Sequence, residues 1–155
     1  RLFLTFFGAG LSPKAPGTVG SLAGAVAAYG ILTILPASTL FLASICLFLF
    51  SIRVIDDYEA KTGVHDHGSI VIDEVAGVWL AISISGATAV QFALSVLFFR
   101  AFDIIKPSVI GRIDKNVKGG LGVMLDDVIA GAIAGICVLG VIGAMMKFGL
   151  AEFIF

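Results

Sequence analysis

Two pairs of adjacent acidic residues stand beside strongly apolar stretches of this sequence. Asp73 and Glu74 begin one such stretch, and Asp126 and Asp127 directly precede another. Ionisable groups next to lipid are costly, so they usually pair with an opposite charge or face a wet cavity. Gathered together, four carboxylates would repel one another unless a cation or a proton were bound. Mg²⁺ prefers hard oxygen ligands and keeps positions for water and substrate phosphate, so the four acids predict a magnesium site.

A simpler interpretation treats each pair as the start of a helix. Acidic residues in a first turn interact favourably with the helix dipole, and one of Asp126 and Asp127 could be an N-cap. A cap requires one acid, however, and not two. The recurrence of a pair in the same apolar setting favours the metal-site interpretation.

Three charged residues follow one another at intervals of three in the stretch FFRAFDIIKP. Arg100, Asp103 and Lys106 would therefore be neighbours on one face of a helix. Arg100 and Lys106 could bind a phosphate group, while Asp103 orients one of them, contributes to the metal site or acts as a base. The alternative is a network of ion pairs that snorkel at a helix end.

Two weaker patterns complete the candidate chemistry. A Pro-Gly turn leads into a helix near Thr18, where exposed amides favour phosphate and the side chains of Lys14 and Thr18 could assist. It lacks the P-loop pattern, and a plain turn explains it equally well. His65 and His67 flank Asp66 in a polar segment, which indicates either proton transfer or loop structure.

The elements that position these residues are unusually apolar. Hydrophobic residues make up 59% of the 155 residues and charged residues only 14%, with a mean hydropathy of +1.09. Soluble domains carry roughly 25% charged residues, so the composition predicts a membrane protein. No linker divides the chain, which predicts one domain over residues 1–155. The net charge of -1 and the scattered basic residues give no reason to expect a nucleic-acid partner.

Five apolar segments predict an all-α, multi-spanning membrane bundle of about five hydrophobic helices. A span needs roughly 17–25 residues, so the third and fourth segments can cross only with their polar ends at the interface. The motifs at Gly20–Gly24 and Gly131–Gly135 predict close helix packing. The predicted segments are residues 19–35, 37–55, 69–85, 88–105 and 128–148.

The connectors determine where the polar stretches lie. The connectors at Pro36 and at residues 86–88 are short and uncharged. Five spans would therefore bring the three longer polar stretches, residues 1–18, 53–69 and 103–127, to one face of the membrane. All Lys and Arg residues except Lys147 would lie on that side, which the positive-inside rule assigns to the cytoplasm. We therefore expect a site that faces the cytoplasm.

Together the motifs resemble the phosphatidylglycerophosphatase A family of bacterial membrane lipid phosphatases. The resemblance implies Mg²⁺-dependent conversion of phosphatidylglycerol phosphate to phosphatidylglycerol at the cytoplasmic (inner) membrane, as a step of phospholipid biosynthesis. The stretches that carry it are GAGLSPKAPGTVGSLAG, GVHDHGSIVIDEVAGVW, FRAFDIIKPSVIGRIDK and KGGLGVMLDDVIAG.

Carried over to these positions, the resemblance implies a site whose core is Asp73, Glu74, Arg100, Asp103, Lys106, Asp126 and Asp127, with Pro16, Gly17 and Thr18 added from the N-terminal turn. Among these we predict Asp73, Asp103 and Asp127 as the catalytic residues. A carboxylate could act as a base toward water or form an aspartyl-phosphate, and both routes remain open. A cation-coupled transporter is the alternative from another class, but its acids should line a route across the bilayer. A phosphatase for another lipid phosphate is the second alternative.

Overall fold

Five helices account for most of the chain in the computed structural model. It describes residues 3–63, 70–86, 88–105, 111–112 and 119–153, and no strand occurs within these ranges. Short 3-10 turns lie at Ala9–Leu11 and Ala151–Phe153. The helices are α1 (Pro16–Leu32), α2 (Ala37–Thr62), α3 (Ile72–Ser85), α4 (Ala89–Ile105) and α5 (Gly119–Lys147).

Each of the five predicted apolar segments corresponds to one of these helices, so the all-α prediction is confirmed for the described residues. The start of the last helix was predicted wrongly. It begins at Gly119 and not after Asp127, which places Asp126 and Asp127 about two turns inside α5. Neither acid can therefore be the N-cap of that helix.

The glycine-rich start of α5 is helical because it packs closely against α2. Gly119 takes a left-handed φ of 76°, and a Cβ on Gly120 would collide with the carbonyl group of Ile52. Glycine in a helix costs on the order of 1 kcal/mol relative to alanine. Here its lack of a side chain permits a contact that no other residue type would allow.

Helix α3 is the centre of the bundle. Most of its residues are buried around its whole circumference, and it packs against α1, α2, α4 and α5. A helix that is apolar on all sides belongs in a core. Its Trp79 indole N–H donates to the carbonyl oxygen of Gly24 in α1 at 2.8 Å, so the buried polar group has a partner.

The predicted small-residue motifs pack helices against α3, as expected. A Cβ on Gly24 would lie 3.2 Å from the side chains of Val75 and Val78. In α5, a Cβ on Gly131 would overlap the carbonyl oxygen of Gly77. The backbones of α3 and α5 are thus in direct contact at Gly77 and Gly131.

Two helix starts are completed by groups that are distant in the sequence. The carbonyl oxygen of Leu4 accepts hydrogen bonds from the backbone N–H groups of Val71 (2.9 Å) and Ile72 (3.2 Å) at the start of α3. The Asp56 carboxylate in α2 accepts from the Gly120 N–H at 2.5 Å. Helix N-termini leave unpaired donors, and these acceptors satisfy some of them.

By length and composition, two of the helices could cross a membrane. The most apolar windows of α2 and α5 have mean hydropathies of 2.1 and 2.5, and only 22% and 33% of these windows are buried. Much of their apolar surface therefore faces outward. Helix α3 has 14 residues, which corresponds to a length of about 21 Å.

We expect Gly131→Ala to destabilise the protein, because the added methyl group would force α3 and α5 apart. Overfilling a packed core costs on the order of 1–3 kcal/mol. Gly140→Ala in the same helix is the matched control, since Gly140 is exposed and has no atom near the position of a Cβ. The thermal midpoints in detergent would be compared. Equal midpoints would show that the helices do not meet at Gly131.

Candidate active site

Three carboxyl groups meet where α3 and α5 cross. Asp73 and Glu74 lie in the first turn of α3, and Asp127 lies in α5. One oxygen from each can be chosen so that all three lie within 4.8 Å of one another. Asp73 is 6% exposed and Asp127 is 2% exposed. This buried three-acid group is the candidate active site.

The glycine contact explains why these acids come together. Asp73 precedes Gly77 by four residues, and Asp127 precedes Gly131 by four residues, so each acid shares a helix face with the glycine one turn later. Gly77 and Gly131 are in backbone contact. Both acids therefore lie one turn from the crossing point, on the same side of it.

Two oxygens of the three-acid group lack a hydrogen-bond donor. Asp73 Oδ1 and Glu74 Oε2 are buried, and neither has a partner among the described residues. Buried carboxylate oxygens are costly when they are unpaired. A divalent cation would satisfy both, and three hard oxygen donors suit Mg²⁺. The residues therefore fit the metal that the sequence predicts.

The three-acid group has a fourth carboxylate and a guanidinium beside it. Arg100 and Asp103 in α4 form an ion pair in which the side chains are only 17% and 14% exposed. A Cβ placed on Gly17 would lie within 3.4 Å of both Arg100 Nη1 and Glu74, so the ion pair lies next to the three-acid group. Because the ion pair is mostly buried, it is not a solvated pair at a helix end.

The first turn of α1 closes another side of the site. Arg100 Nη2 donates to Thr18 Oγ1 at 3.2 Å, and a Cβ on Gly17 would lie 2.9 Å from Glu74 Oε1. The predicted N-terminal turn is thus adjacent to the acids. A side chain at Gly17 would intrude upon Glu74 and Arg100, so this position favours glycine for reasons of space.

Not all the predicted site residues converge. Asp126 is buried, but it lies outside the three-acid group, and its Oδ1 accepts from the Asp127 N–H at 2.9 Å. Lys14 is exposed in the turn before α1. Lys106, His65 and His67 fall outside the described residues, so their roles stay predictions, as does that of Lys14.

Sequence reasoning missed the groups that hold the two acidic helices in place. The Leu4 carbonyl and the Asp56 carboxylate complete the starts of α3 and α5, which carry the three-acid group. A backbone carbonyl leaves no signal in a sequence. Asp56 gave only a weak sequence signal, because it is an acid near the end of an apolar helix.

Comparison with known proteins gives a consistent result. The family model described as phosphatidylglycerophosphatase A matches residues 2–142. A Haemophilus influenzae protein named phosphatidylglycerophosphatase A is 38% identical over 142 residues, which is 91% of this chain and 87% of that protein. The Escherichia coli protein of the same name is 41% identical over 135 residues, which is 86% of this chain and 78% of that protein.

A third relative has a different name. A Bacteroides thetaiotaomicron protein called "Putative phosphatidylinositol-3-phosphatase" is 37% identical over 134 residues, which is 82% of this chain and 83% of that protein. No solved structure matches the chain. The family match over residues 2–142 covers about nine tenths of the 155 residues and includes every acid of the candidate site. This chain therefore belongs to the phosphatidylglycerophosphatase A family.

Proposed function

We propose that this protein removes the terminal phosphate from phosphatidylglycerol phosphate, giving phosphatidylglycerol and inorganic phosphate for phospholipid biosynthesis. Family membership supports the activity and the lipid substrate. The observation that carries the assignment of the site is the buried three-acid group, with its unpartnered oxygens, beside the Arg100 guanidinium.

Mg²⁺ is the proposed cofactor, held by Asp73, Glu74 and Asp127. When bound, it would offset the charge of the phosphate and polarise the phosphorus toward attack. The same two unpartnered oxygens support this proposal. Asp126 is adjacent in sequence and would hold Asp127 in position through its hydrogen bond to the Asp127 N–H.

Arg100 is the proposed phosphate-binding residue. Its Nε is buried and has no hydrogen-bond partner among the described residues, while its other nitrogens contact Asp103 and Thr18. A phosphate oxygen can accept from a guanidinium that is already held in place. The first turn of α1 lies beside it, where backbone N–H groups favour an anion. Lys106 and Lys14 are proposed to assist.

Hydrolysis requires an oxygen to attack phosphorus opposite the leaving glycerol oxygen. In one route Asp103 accepts a proton from the attacking water, the new P–O bond forms, the ester P–O bond breaks, and Asp103 returns its proton to the leaving glycerol oxygen. In the other route an aspartate attacks phosphorus directly as the ester P–O bond breaks, the glycerol oxygen takes a proton from water, and the remaining hydroxide cleaves the aspartyl-phosphate to release phosphate. Arg100 stabilises charge on the phosphate oxygens in both routes.

The proposed setting is the bacterial cytoplasmic membrane, with five spans and the active site toward the cytoplasm. The outward apolar surfaces of α2 and α5 support a membrane location. The starts of α1 and α3, the last turns of α4 and the N-terminal third of α5 meet at the three-acid group, which suits an enzyme at one face of the bilayer. A transporter would need acids along a route across the bundle, so we favour the enzyme.

We expect purified protein to release phosphate from phosphatidylglycerol phosphate only when a divalent cation is present. Excess chelator should abolish the reaction, and added Mg²⁺ should restore it, because the three-acid group needs a cation to bind phosphate. Phosphatidylinositol 3-phosphate and phosphatidate would be assayed in parallel, since one relative is named for another lipid phosphate. Full turnover in chelator would exclude the magnesium proposal.

We expect Asp73→Asn and Asp127→Asn each to lower kcat by roughly 100-fold or more, the loss typical of a group that stabilises the transition state. Asp57→Asn is the matched control, because Asp57 is exposed on α2 and lies outside the group. Asp126→Asn keeps an oxygen acceptor for the Asp127 N–H, so its loss should be smaller. Equal turnover in Asp57→Asn and Asp127→Asn would show that the three-acid group is not the active site.

The proposed topology predicts the sides from which single cysteines react. In a background without Cys46 and Cys137, cysteines replacing Lys61 and Arg112 should be shielded from an impermeant thiol reagent in intact cells. A cysteine replacing Ile34, which is 83% exposed in the α1–α2 connector, should react. All three should react in opened membranes. Labelling of Lys61→Cys and Arg112→Cys from opposite sides would contradict the five-span arrangement.

A further inference from the structure

An apolar groove of about 630 Å³ runs between α1 and α4, both of which pack against α3. Its residues are apolar except for the Tyr29 hydroxyl group. The α1 side is open, because Leu22, Val26 and Tyr29 are 54%, 73% and 65% exposed. The principal lining residues are Leu22, Val26, Tyr29, Phe92, Ala93 and Val96.

The groove begins next to the proposed phosphate site. Leu22 follows Thr18 by one helical turn, and Val96 precedes Arg100 by one turn. Thr18 and Arg100 are themselves joined by a hydrogen bond of 3.2 Å. The same two helices therefore present polar groups at the phosphate site and the apolar groove immediately beyond it.

An aromatic pair marks the other end of the groove. The rings of Tyr29 and Phe92 meet edge to face, with centroids 6.3 Å apart. From Leu22 to Tyr29 the helical rise gives a length of about 10 Å. That length suits the upper part of one hydrocarbon chain.

We propose that this groove binds one acyl chain of the lipid substrate while Arg100 and Thr18 hold its terminal phosphate. The inference rests on the proposed function, because it needs a phosphate bound at Arg100. In such a lipid the chain is tied covalently to the terminal phosphate through a glycerol–phosphate–glycerol linker, which would run past the turn between Thr18 and Leu22. The open α1 side would admit the chain sideways from the bilayer.

The groove would give selectivity through packing and not through the hydrophobic effect, since lipid tails are as apolar as the groove. A side chain that fills it should therefore impair long-chain substrates by steric exclusion. Ala93 is exposed within the groove, so Ala93→Trp adds bulk there without disturbing the core. Val26→Trp fills the groove from the facing helix. Ala144→Trp, at an exposed position of α5, is the matched control.

The experiment compares kcat/KM for dioleoyl phosphatidylglycerol phosphate and for its short-chain diacetyl analogue, whose chains cannot enter the groove, in one detergent. We expect the ratio of the long-chain to the short-chain value to fall roughly tenfold in Ala93→Trp and Val26→Trp, as overfilling a packed site would produce. The ratio should not change in Ala144→Trp. Because the short-chain substrate reports on the phosphate site, it separates damage to the groove from damage to catalysis.

Three outcomes would overturn the proposal. An unchanged ratio in both groove variants would show that no chain binds there. An equal loss on both substrates, together with a changed oligomeric state, would instead make the groove an interface between copies of the chain. If the unsubstituted protein hydrolyses neither lipid, the proposed function itself fails. This failure is distinguishable from failure of the groove proposal because it is seen without any substitution.

Discussion

The backbone contact between Gly77 and Gly131 is the constraint on which the site depends. It fixes the distance between α3 and α5, and the acids one turn earlier on each helix are brought together as a consequence. Any side chain at either glycine would separate the helices. The candidate catalytic group is therefore created by two residues that have no side chain and take no part in the chemistry.

The resulting charge distribution is unbalanced. Among the described residues of the site, the carboxyl groups of Asp73, Glu74, Asp103 and Asp127 face a single guanidinium, that of Arg100. Such an excess of negative charge in a buried place is unfavourable unless cations or protons offset it. The excess negative charge lowers the stability of the fold, but it also favours binding of a divalent cation. The charge of that cation would then attract a phosphate.

The helices and the paired acids could be predicted because apolar length and buried charge are properties of local sequence. Contacts between residues that are distant in the chain were harder to predict. The start of α5 at Gly119 depends on Asp56 and on the α2 backbone, and the start of α3 depends on the Leu4 carbonyl. The separation of Asp126 from the three-acid group also has a geometric cause. Adjacent residues on a helix point in directions about 100° apart, and here Asp127 faces the α3 acids while Asp126 accepts from the Asp127 N–H.

The position of Asp126 and Asp127 two turns inside α5 also bears on how the protein is assembled. An acidic residue in a membrane helix is costly at insertion, by up to about 3 kcal/mol at the bilayer centre. Under the proposed topology α5 is synthesised after α3 and α4, which supply the surfaces that bury its acids. Chain order would thus spare α5 a period alone in the lipid, and truncation before α5 would leave Asp73 and Glu74 without their cover.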